Sequence, residues 1–349
     1  MKVGLARSTA ARWVAEHAAE EAWFRGAYFS GSTVGMPDDR ELAATSDVDV
    51  MIVTAETQPP LKPGKFVYRG VLLEVSYVSW DQLASAQQVL SSYHLAGGFR
   101  RDTIIADPTG RLRELHAQVS RHFADREWVR RRCMNAREKI ENGLSAVDAS
   151  APWHTQVMGW LFPTGVTTHV LLVAALRNPT VRLRYVAARE VLSEYGRPEV
   201  HEDLLKLLGC AHWDSRRVEH HLAALADTFD AAAAVARTPF FFRTDITAAA
   251  RPIAIDGTRE LIRRGLHREG VFWIVATFAR CHAILSADAP AVQESLSPAF
   301  GAVLADLGIT CTQDLVDRAR RVIAFLPGLW ETAEAILRDN PGVTGSHEA

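Results

Sequence analysis

The chain has 349 residues, of which 48% are hydrophobic and 23% charged, and its formal net charge is −2. This length exceeds one ordinary hydrophobic core and favours two domains, and the apolar fraction excludes a disordered chain. The balance of 39 basic against 41 acidic residues, without blocks of like charge, argues against nucleic acid or anionic membrane as the main partner.

Cysteine spacing and the composition of the N-terminus indicate the cellular compartment of the protein. The four cysteines, at positions 133, 210, 281 and 311, include no C-x-x-C pair, which argues against a zinc site or a disulfide framework. Charged residues stand at positions 7, 12 and 16, where a signal peptide needs an apolar core. The longest apolar run, residues 166–176, is about half a membrane span. We therefore expect a cytoplasmic protein that does not cross a membrane.

Helices and strands alternate in the first 125 residues. Apolar residues at near-helical spacing predict a helix over 7–24, and a short aromatic run then ends at Gly31-Ser32. Alternation in Ser46–Ile52 predicts a strand with two different faces. The next elements are a hairpin over 65–78 turning near Arg69-Gly70, a helix from Ser79 to about Leu90, a strand over 103–106, and a helix through about Phe123.

Strand signals almost disappear beyond residue 125. Helices are predicted over 126–148, 165–177, 181–195, 200–208, 215–236, 258–287, 291–307 and 312–339, with a kink or boundary at Leu326-Pro327-Gly328 and a frayed end over the last ten residues. The expected fold class is therefore α+β. Residues 1–125 would form a small mixed sheet flanked by helices, and residues 126–349 an all-α domain.

Three carboxylates fall where they can meet. On a strand, residues i and i+2 share a face, so Asp47 and Asp49 point the same way, and Glu74 points away from the core on a later strand. If the two strands are neighbours, the three groups converge, and their repulsion needs a cation. Carboxylate oxygens suit Mg²⁺ or Mn²⁺. A pair of such ions can hold the attacking and the leaving oxygen of a phosphoryl displacement.

A Gly-Ser pair precedes the carboxylates. Gly31 would let the backbone approach a ligand closely, and Ser32 offers a hydroxyl and a backbone N–H. A helix that starts at Ser32 would add its dipole to hold outer phosphates. Metal-bound carboxylates beside such a turn indicate nucleotidyl transfer.

These residues carry a family resemblance. Gly31-Ser32, Ser46-Asp47-Val48-Asp49 and Glu74, together with the ending Ile105–Gly110, resemble the nucleotidyltransferase (DNA polymerase β-like) superfamily over about residues 20–125. Within that superfamily the sequence is most similar to the aminoglycoside and lincosamide adenylyltransferases. The resemblance implies a fold with a mixed sheet, two Mg²⁺ ions, a nucleoside triphosphate such as ATP as co-substrate, and release of pyrophosphate.

The resemblance also implies roles for individual residues. Asp47, Asp49 and Glu74 match the metal-binding and catalytic carboxylates, and Glu74 matches a general base that accepts the proton of an acceptor hydroxyl. Gly31, Ser32 and Ser46 match the nucleotide-binding residues. Two features depart from the family pattern. Fourteen residues separate Ser32 from Asp47, which requires an insertion around 36–43, and the third carboxylate is Glu rather than the Asp of polymerases.

Several residues are left as weaker candidates. A triphosphate needs a cation besides the metals, and Arg100, Arg101, Arg182 and Lys206 are all candidates. Asp102 and Glu114 are less suitable substitutes for Glu74. Histidines 201, 212, 220 and 221 lack a metal-ligand spacing and are expected to face solvent or to cap helices.

The expected function is transfer of AMP from ATP to a hydroxyl of a small molecule, for example an aminoglycoside-like antibiotic, with the helical domain binding this acceptor. One alternative keeps the fold and uses a protein or RNA acceptor. Residues 1–125 hold 13 basic and 15 acidic residues, which does not favour RNA. The other alternative is a nucleotide-binding module without catalysis. The sequence does not specify the acceptor, the nucleotide or the oligomeric state.

Overall fold

A computed structural model describes residues 1–145 and 148–345, and the chain divides into two compact units. Unit 1 is Met1–Arg132 together with the segment from Gly342 onward, and unit 2 is Cys133–Pro341. The division lies a few residues after the expected boundary at residue 125. The chain is α+β as expected, because unit 1 contains a small mixed sheet and the described part of unit 2 is helical.

Unit 1 is built on a five-stranded sheet. Its strands are β1 (Phe24–Ser30), β2 (Val48–Thr54), β3 (Gly64–Tyr68), β4 (Val71–Ser79) and β5 (Ile104–Ala106), in the spatial order β3-β4-β2-β1-β5. Strands β2 and β4 pair in parallel, and the other neighbours are antiparallel. The helices of this region are α1 (Val3–His17), α2 (Ala86–Ser91), α3 (Arg111–His122) and α4 (Arg126–Ser145), the last of which ends in unit 2.

Alternating residues of β2 enter two separate cores. Val48, Val50 and Ile52 are fully buried in the cluster that contains Ala6, Ala10 and Val14 of α1. Val53 lies on the other face, in a cluster with side chains of α2 and α3. This two-sided burial fixes the register of β2, since a shift of one residue would exchange its two faces. Asp49 therefore lies on the same face as Val53.

The hairpin is confirmed, and its turn sets a register that matters for the site. Arg69 and Gly70 both have positive φ, 48° and 79°, as a two-residue turn of this kind requires. Strands β3 and β4 then pair so that Lys65 lies opposite Glu74.

Two predicted helices of unit 1 differ from the structure. The helix predicted over 7–24 spans Val3–His17, because its buried stripe is Val3, Ala6, Ala10 and Val14, and the chain enters β1 at Phe24. The helix predicted over 79–90 consists of a 3₁₀ turn, Trp80–Leu83, followed by α2. The interruption has a local cause: the Ser85 side chain accepts a hydrogen bond from Gln88 N and so starts a new helix.

The described part of unit 2 consists of helices, most of them linked by short turns. They are α5 (Trp153–Ala174), α6 (Arg184–Glu194), α7 (Pro198–Leu208), α8 (Ser215–Val235), α9 (Gly257–Arg263), α10 (Val271–Asp288), α11 (Pro290–Asp306) and α12 (Thr312–Asp339). A longer connection with a 3₁₀ turn and a π-helical segment joins α8 to α9. The single helix predicted over 258–287 is wrong, because the chain turns at Gly265, whose φ is 73°. Helix α5 begins earlier than the predicted residue 165 and contains Pro163. The bounds of α12 are as predicted, but the helix continues through Pro327.

Two helical stretches, Trp153–Ala174 and Arg268–Asp288, are long and apolar enough to cross a membrane by length and composition. Within the protein, 78% and 83% of their apolar windows are buried. This degree of burial is typical of helices that form the core of a folded domain.

The C-terminal segment returns to unit 1. Thr344 N donates to Ala124 O at 2.9 Å, and Arg126 N donates to Thr344 O at 2.8 Å. The prediction that the last ten residues fray is therefore wrong for residues 340–345, while residues 346–349, like residues 146–147 of the helix predicted over 126–148, lie outside the described part of the chain.

Candidate metal centre

Asp47, Asp49 and Glu74, here called the acidic trio, come together in unit 1. Asp47 directly precedes β2, Asp49 lies within it, and the parallel register places Glu74 of β4 beside Asp49. One ligand atom from each residue lies within 4.8 Å of the other two. Among the residues that the structure describes, this is the only group of three or more His, Cys, Asp or Glu side chains with such spacing. The predicted convergence of the three carboxylates is thus observed.

Gly31 approaches the acidic trio more closely than any residue with a side chain could. It follows the end of β1, where Ser30 pairs with Asp49, and it has φ 70° and ψ −156°, a conformation that is almost restricted to glycine. A Cβ atom at Gly31 would overlap the Asp49 carboxylate. The glycine therefore has a structural role beside Asp49, and its contact with a phosphate stays a prediction.

The positions of Ser32 and Ser46 give less support to the predicted phosphate contacts. Ser32 is exposed and begins a single 3₁₀ turn, Ser32–Gly35, within the stretch that the sequence analysis treated as a loop or the start of a helix. One turn aligns few peptide dipoles, so its contribution to anion binding is small. Ser46 is half-buried, and its N–H donates to Ala43 O at 3.0 Å. Phosphate contacts of both serines stay predictions.

The inserted loop is anchored to α1. Arg7 donates to the carbonyl oxygens of Thr33 and of Met36, the latter at 2.7 Å, and it forms an ion pair with Asp38 at 2.8 Å. The expected insertion at 36–43 therefore lies along the start of the first helix. This anchoring leaves Gly31 and Asp47, at the two ends of the longer loop, beside the same strands.

Two lysines that the sequence analysis did not single out contact the acidic trio. Lys65 of β3 forms an ion pair with Glu74 and a second with Asp47, where Nζ is 2.6 Å from Oδ2. Lys62 Nζ lies 2.5 Å from Glu74 Oε1. Only 10% of the Lys65 side chain and 24% of the Lys62 side chain are exposed. The chain has just five lysines, and two of them are committed to this site.

Two of the four cations proposed from the sequence have other neighbours. Lys206, in unit 2, pairs with Asp203 at 2.8 Å, and the Arg100 guanidinium lies 5.2 Å from the centre of the Phe123 ring. A signal for the contact of Lys65 with Glu74 was available: in a hairpin that turns at Arg69-Gly70, the two residues are equally distant from the turn and must face each other.

Burial and charge move the pKa values of two members of the acidic trio in opposite directions. Burial raises the pKa of Asp49 well above its usual range, and the charges of Asp47 and Glu74 raise it further, against the effect of the lysines. Burial also acts to raise the pKa of Glu74, but Lys65 and Lys62 outweigh it and hold that pKa at about 2. The site thus contains three acids and two ammonium groups, and ionisation of all three acids would leave one negative charge unbalanced.

The donor set fits a hard divalent cation. Three carboxylates supply the oxygen ligands that Mg²⁺ and Mn²⁺ prefer, and their spacing allows shared coordination. The lysines contact both oxygens of Glu74 and one of Asp47, so a cation that uses these oxygens would compete with the ammonium groups and favour their displacement. The displaced groups are the kind that bind phosphate oxygens.

The histidines do not contribute to this centre. His212 and His220 are exposed as expected, but His201 and His221 are buried, which corrects the expectation that they face solvent or cap helices. His201 Nε2 lies 3.2 Å from a Glu269 oxygen, and His221 Nε2 lies 2.9 Å from an Asp306 oxygen. Burial beside a carboxylate requires non-local packing, which histidine spacing alone does not reveal.

Comparisons with protein-family models, with curated proteins and with solved structures found no match to this chain. The function is therefore argued from the acidic trio, the lysines and the Gly31 turn.

Proposed function

We propose that the protein is a Mg²⁺-dependent nucleotidyltransferase that transfers a nucleoside monophosphate, AMP from ATP, to a hydroxyl group of a small molecule. The observation that carries this proposal is the convergence of Asp47, Asp49 and Glu74 within 4.8 Å of one another. Gly31 also supports it. Its backbone lies against Asp49, and the absence of a side chain there leaves room for a phosphate close to the metal-binding carboxylates.

The electrostatics of the acidic trio support a ligand of positive charge. A carboxylate such as Asp49, buried beside two like charges, destabilises the folded state at neutral pH, as the raised pKa indicates. Strongly perturbed acids with a specific set of charged neighbours are typical of functional sites. Binding of a divalent cation would offset the repulsion and explain why the chain retains all three acids.

Each residue has a role in the proposed reaction. The acidic trio would hold the cation, which supplies positive charge next to the phosphates. Ser32, exposed after the Gly31 turn, can donate its hydroxyl and N–H to a phosphate. Glu74 would accept the proton of the acceptor hydroxyl. A carboxylate whose pKa is about 2 is a weak base, so this role requires that Lys62 and Lys65 leave Glu74.

The choice of a small-molecule acceptor, with antibiotics as the best-known case, rests on the balanced charge of the chain. Binding of this acceptor by unit 2 is part of the proposal.

Transfer from labelled ATP tests the proposal. The full chain, with Mg²⁺, α-labelled ATP and a panel of hydroxyl-bearing small molecules that includes aminoglycosides and lincosamides, should yield an acceptor-dependent labelled product. Asp47→Asn and Asp49→Asn should each lower the rate by a factor of about 10³ or more. Asp39→Asn, in the exposed part of the preceding loop, is the matched control and should leave the rate unchanged. Full activity of both trio variants would refute the metal assignment.

One observation favours a second candidate, a nucleotide-binding module without catalysis. Lys62 and Lys65 already neutralise part of the trio, as ion pairs with a purely structural role would do. Thermal unfolding with millimolar ATP and Mg²⁺ separates the two candidates when combined with the transfer assay. Stabilisation by ATP with no product on any small molecule, protein or RNA acceptor would favour the module.

A further inference from the structure

The two lysines occupy the oxygens that a metal ion needs. Lys65 contacts Glu74 Oε2 and lies 2.6 Å from Asp47 Oδ2, while Lys62 lies 2.5 Å from Glu74 Oε1. Both oxygens of Glu74 and one of Asp47 are thus bound to ammonium groups. Divalent cations and these ammonium groups therefore compete for the same ligand atoms.

The lysines can leave without any change in the sheet. Lys65 is fixed by its backbone in β3, opposite Glu74, and Lys62 lies just before that strand. Each ammonium group stands at the end of a flexible four-carbon side chain. Rotation of the side chain can therefore move the charge by several ångströms while the register of the hairpin stays the same.

The cost of leaving depends on what else is bound. A lysine displaced by a cation alone loses its carboxylate partners while most of its side chain remains buried, and an unpaired charge in such a place is costly. A triphosphate bound at the same time offers new oxygen partners to the displaced ammonium groups. The cost of moving the lysines is then offset by their new contacts.

We infer that Lys65 and Lys62 act as a charge gate, which makes the acidic trio a poor site for a divalent cation alone and couples cation binding to binding of a triphosphate. The inference rests on the proposed function and extends it to the order of binding. By linkage, each ligand raises the affinity of the site for the other.

Binding of Mn²⁺ to the full chain without nucleotide, measured by electron paramagnetic resonance, tests the gate without any activity assay. Lys65→Met should bind Mn²⁺ about tenfold more tightly than the unaltered chain, and Lys62→Met should show a smaller gain, because Lys62 contacts one carboxylate instead of two. ATP binding in the presence of excess EDTA should become about tenfold weaker in Lys65→Met. Lys206→Met, which removes an ion pair in unit 2, is the matched control for both measurements.

The outcomes separate this inference from the proposed function. Equal or weaker Mn²⁺ binding by Lys65→Met than by the unaltered chain would overturn the gate and leave the proposed function standing. Failure of the unaltered chain and of every variant to bind Mn²⁺ even in the presence of ATP would overturn both. If Lys65→Met does not fold, as judged by circular dichroism, Lys62→Met carries the same test because Lys62 lies outside the strands.

Discussion

The acids that lie away from solvent in the two units of this protein differ in their partners. In unit 2, the Glu269 side chain, of which 1% is exposed, is matched by Arg189 at 2.9 Å and His201 at 3.2 Å. Arg280 is likewise matched by Asp245 at 2.9 Å. In unit 1, three carboxylates share two lysines, so ionisation of all three would leave one negative charge without a fixed counterpart among the groups described at the site.

The difference distinguishes acids that form ion pairs within the folded core from acids whose charge requires a bound cation. A buried acid with its own base is an element of the core, and its removal leaves the partner unsatisfied. An acid in excess repels its neighbours, and a cation from solution is needed to complete the balance. Excess of charge, rather than burial of charge, is what marks the acidic trio as a candidate site.

The largest effect is expected where the backbone meets the acidic trio. Gly31→Ala should lower the free energy of unfolding by about 4 kcal/mol, because it combines a glycine-only conformation with overlap of Asp49. Gly35→Ala is the control, since a Cβ there meets nothing within 4 Å. Urea unfolding of both variants checks this. A small and similar decrease in the free energy of unfolding of both variants would mean that the backbone of Gly31 is not packed tightly against Asp49.

Acid should reveal a titrating group in the core of unit 2. His282 is stacked against Phe300, with ring centres 4.8 Å apart. Burial, followed by the charge of His154, lowers the pKa of His282 to about 4. The unfolded chain takes up this proton near pH 6.5 and the folded chain only near pH 4, so acidification favours unfolding. As the pH falls from 6.5 to 4, the different pKa of His282 in the folded and unfolded chains should lower the free energy of unfolding by up to about 3 kcal/mol.

His282→Phe removes that proton and should flatten the pH dependence. Urea unfolding of both chains at pH 7.5, 5.5 and 4.5 measures the difference, in which the contributions of all other groups cancel. An identical loss in the two chains would show that His282 is protonated near its ordinary pH in the folded chain.

The same acid-to-amide change should have opposite effects in the two units. Glu269→Gln should lower the free energy of unfolding by about 2 kcal/mol, because it leaves Arg189 and His201 without their carboxylate. Asp49→Asn should raise it, by about 1 kcal/mol, because it relieves a buried like-charge contact. Urea unfolding in EDTA at pH 7 compares them. Destabilisation of similar size by both variants would show that Asp49, like Glu269, stabilises the folded chain, and would contradict the contrast between the two units.

Local pattern predicted the parts of the site that lie within one hairpin or one strand. The alternation around Asp47 and Asp49 gave the correct buried residues, Val48 and Val50. The predicted turn at Arg69-Gly70 already implied that Lys65 faces Glu74, although the sequence analysis did not draw that consequence. Contact of Lys65 with Asp47 was beyond such reasoning, because it depends on the parallel pairing of β4 with β2, across a long connection.

Helix positions were predictable where local signals and packing agreed. The bounds of α12 were correct, because Asp314 accepts hydrogen bonds from the backbone that starts the helix. Errors came from single residues whose effect depends on context. Pro163 was expected to lie outside a helix, yet α5 contains it, while Gly265 ends a helix that its neighbours would continue. Tertiary burial decides such cases, and one sequence does not record it.

The return of the chain at Thr344 has a consequence for how the protein is made and dissected. Thr344 is hydrogen-bonded to Ala124, which precedes α4, and to Arg126, its first residue. Unit 1 is thus discontinuous, and its final segment leaves the ribosome only after the whole of unit 2. A fragment that stops at residue 132 lacks that segment. An expressed unit 1 with all its contacts therefore requires a fusion of residues 1–132 with the segment that begins at Gly342.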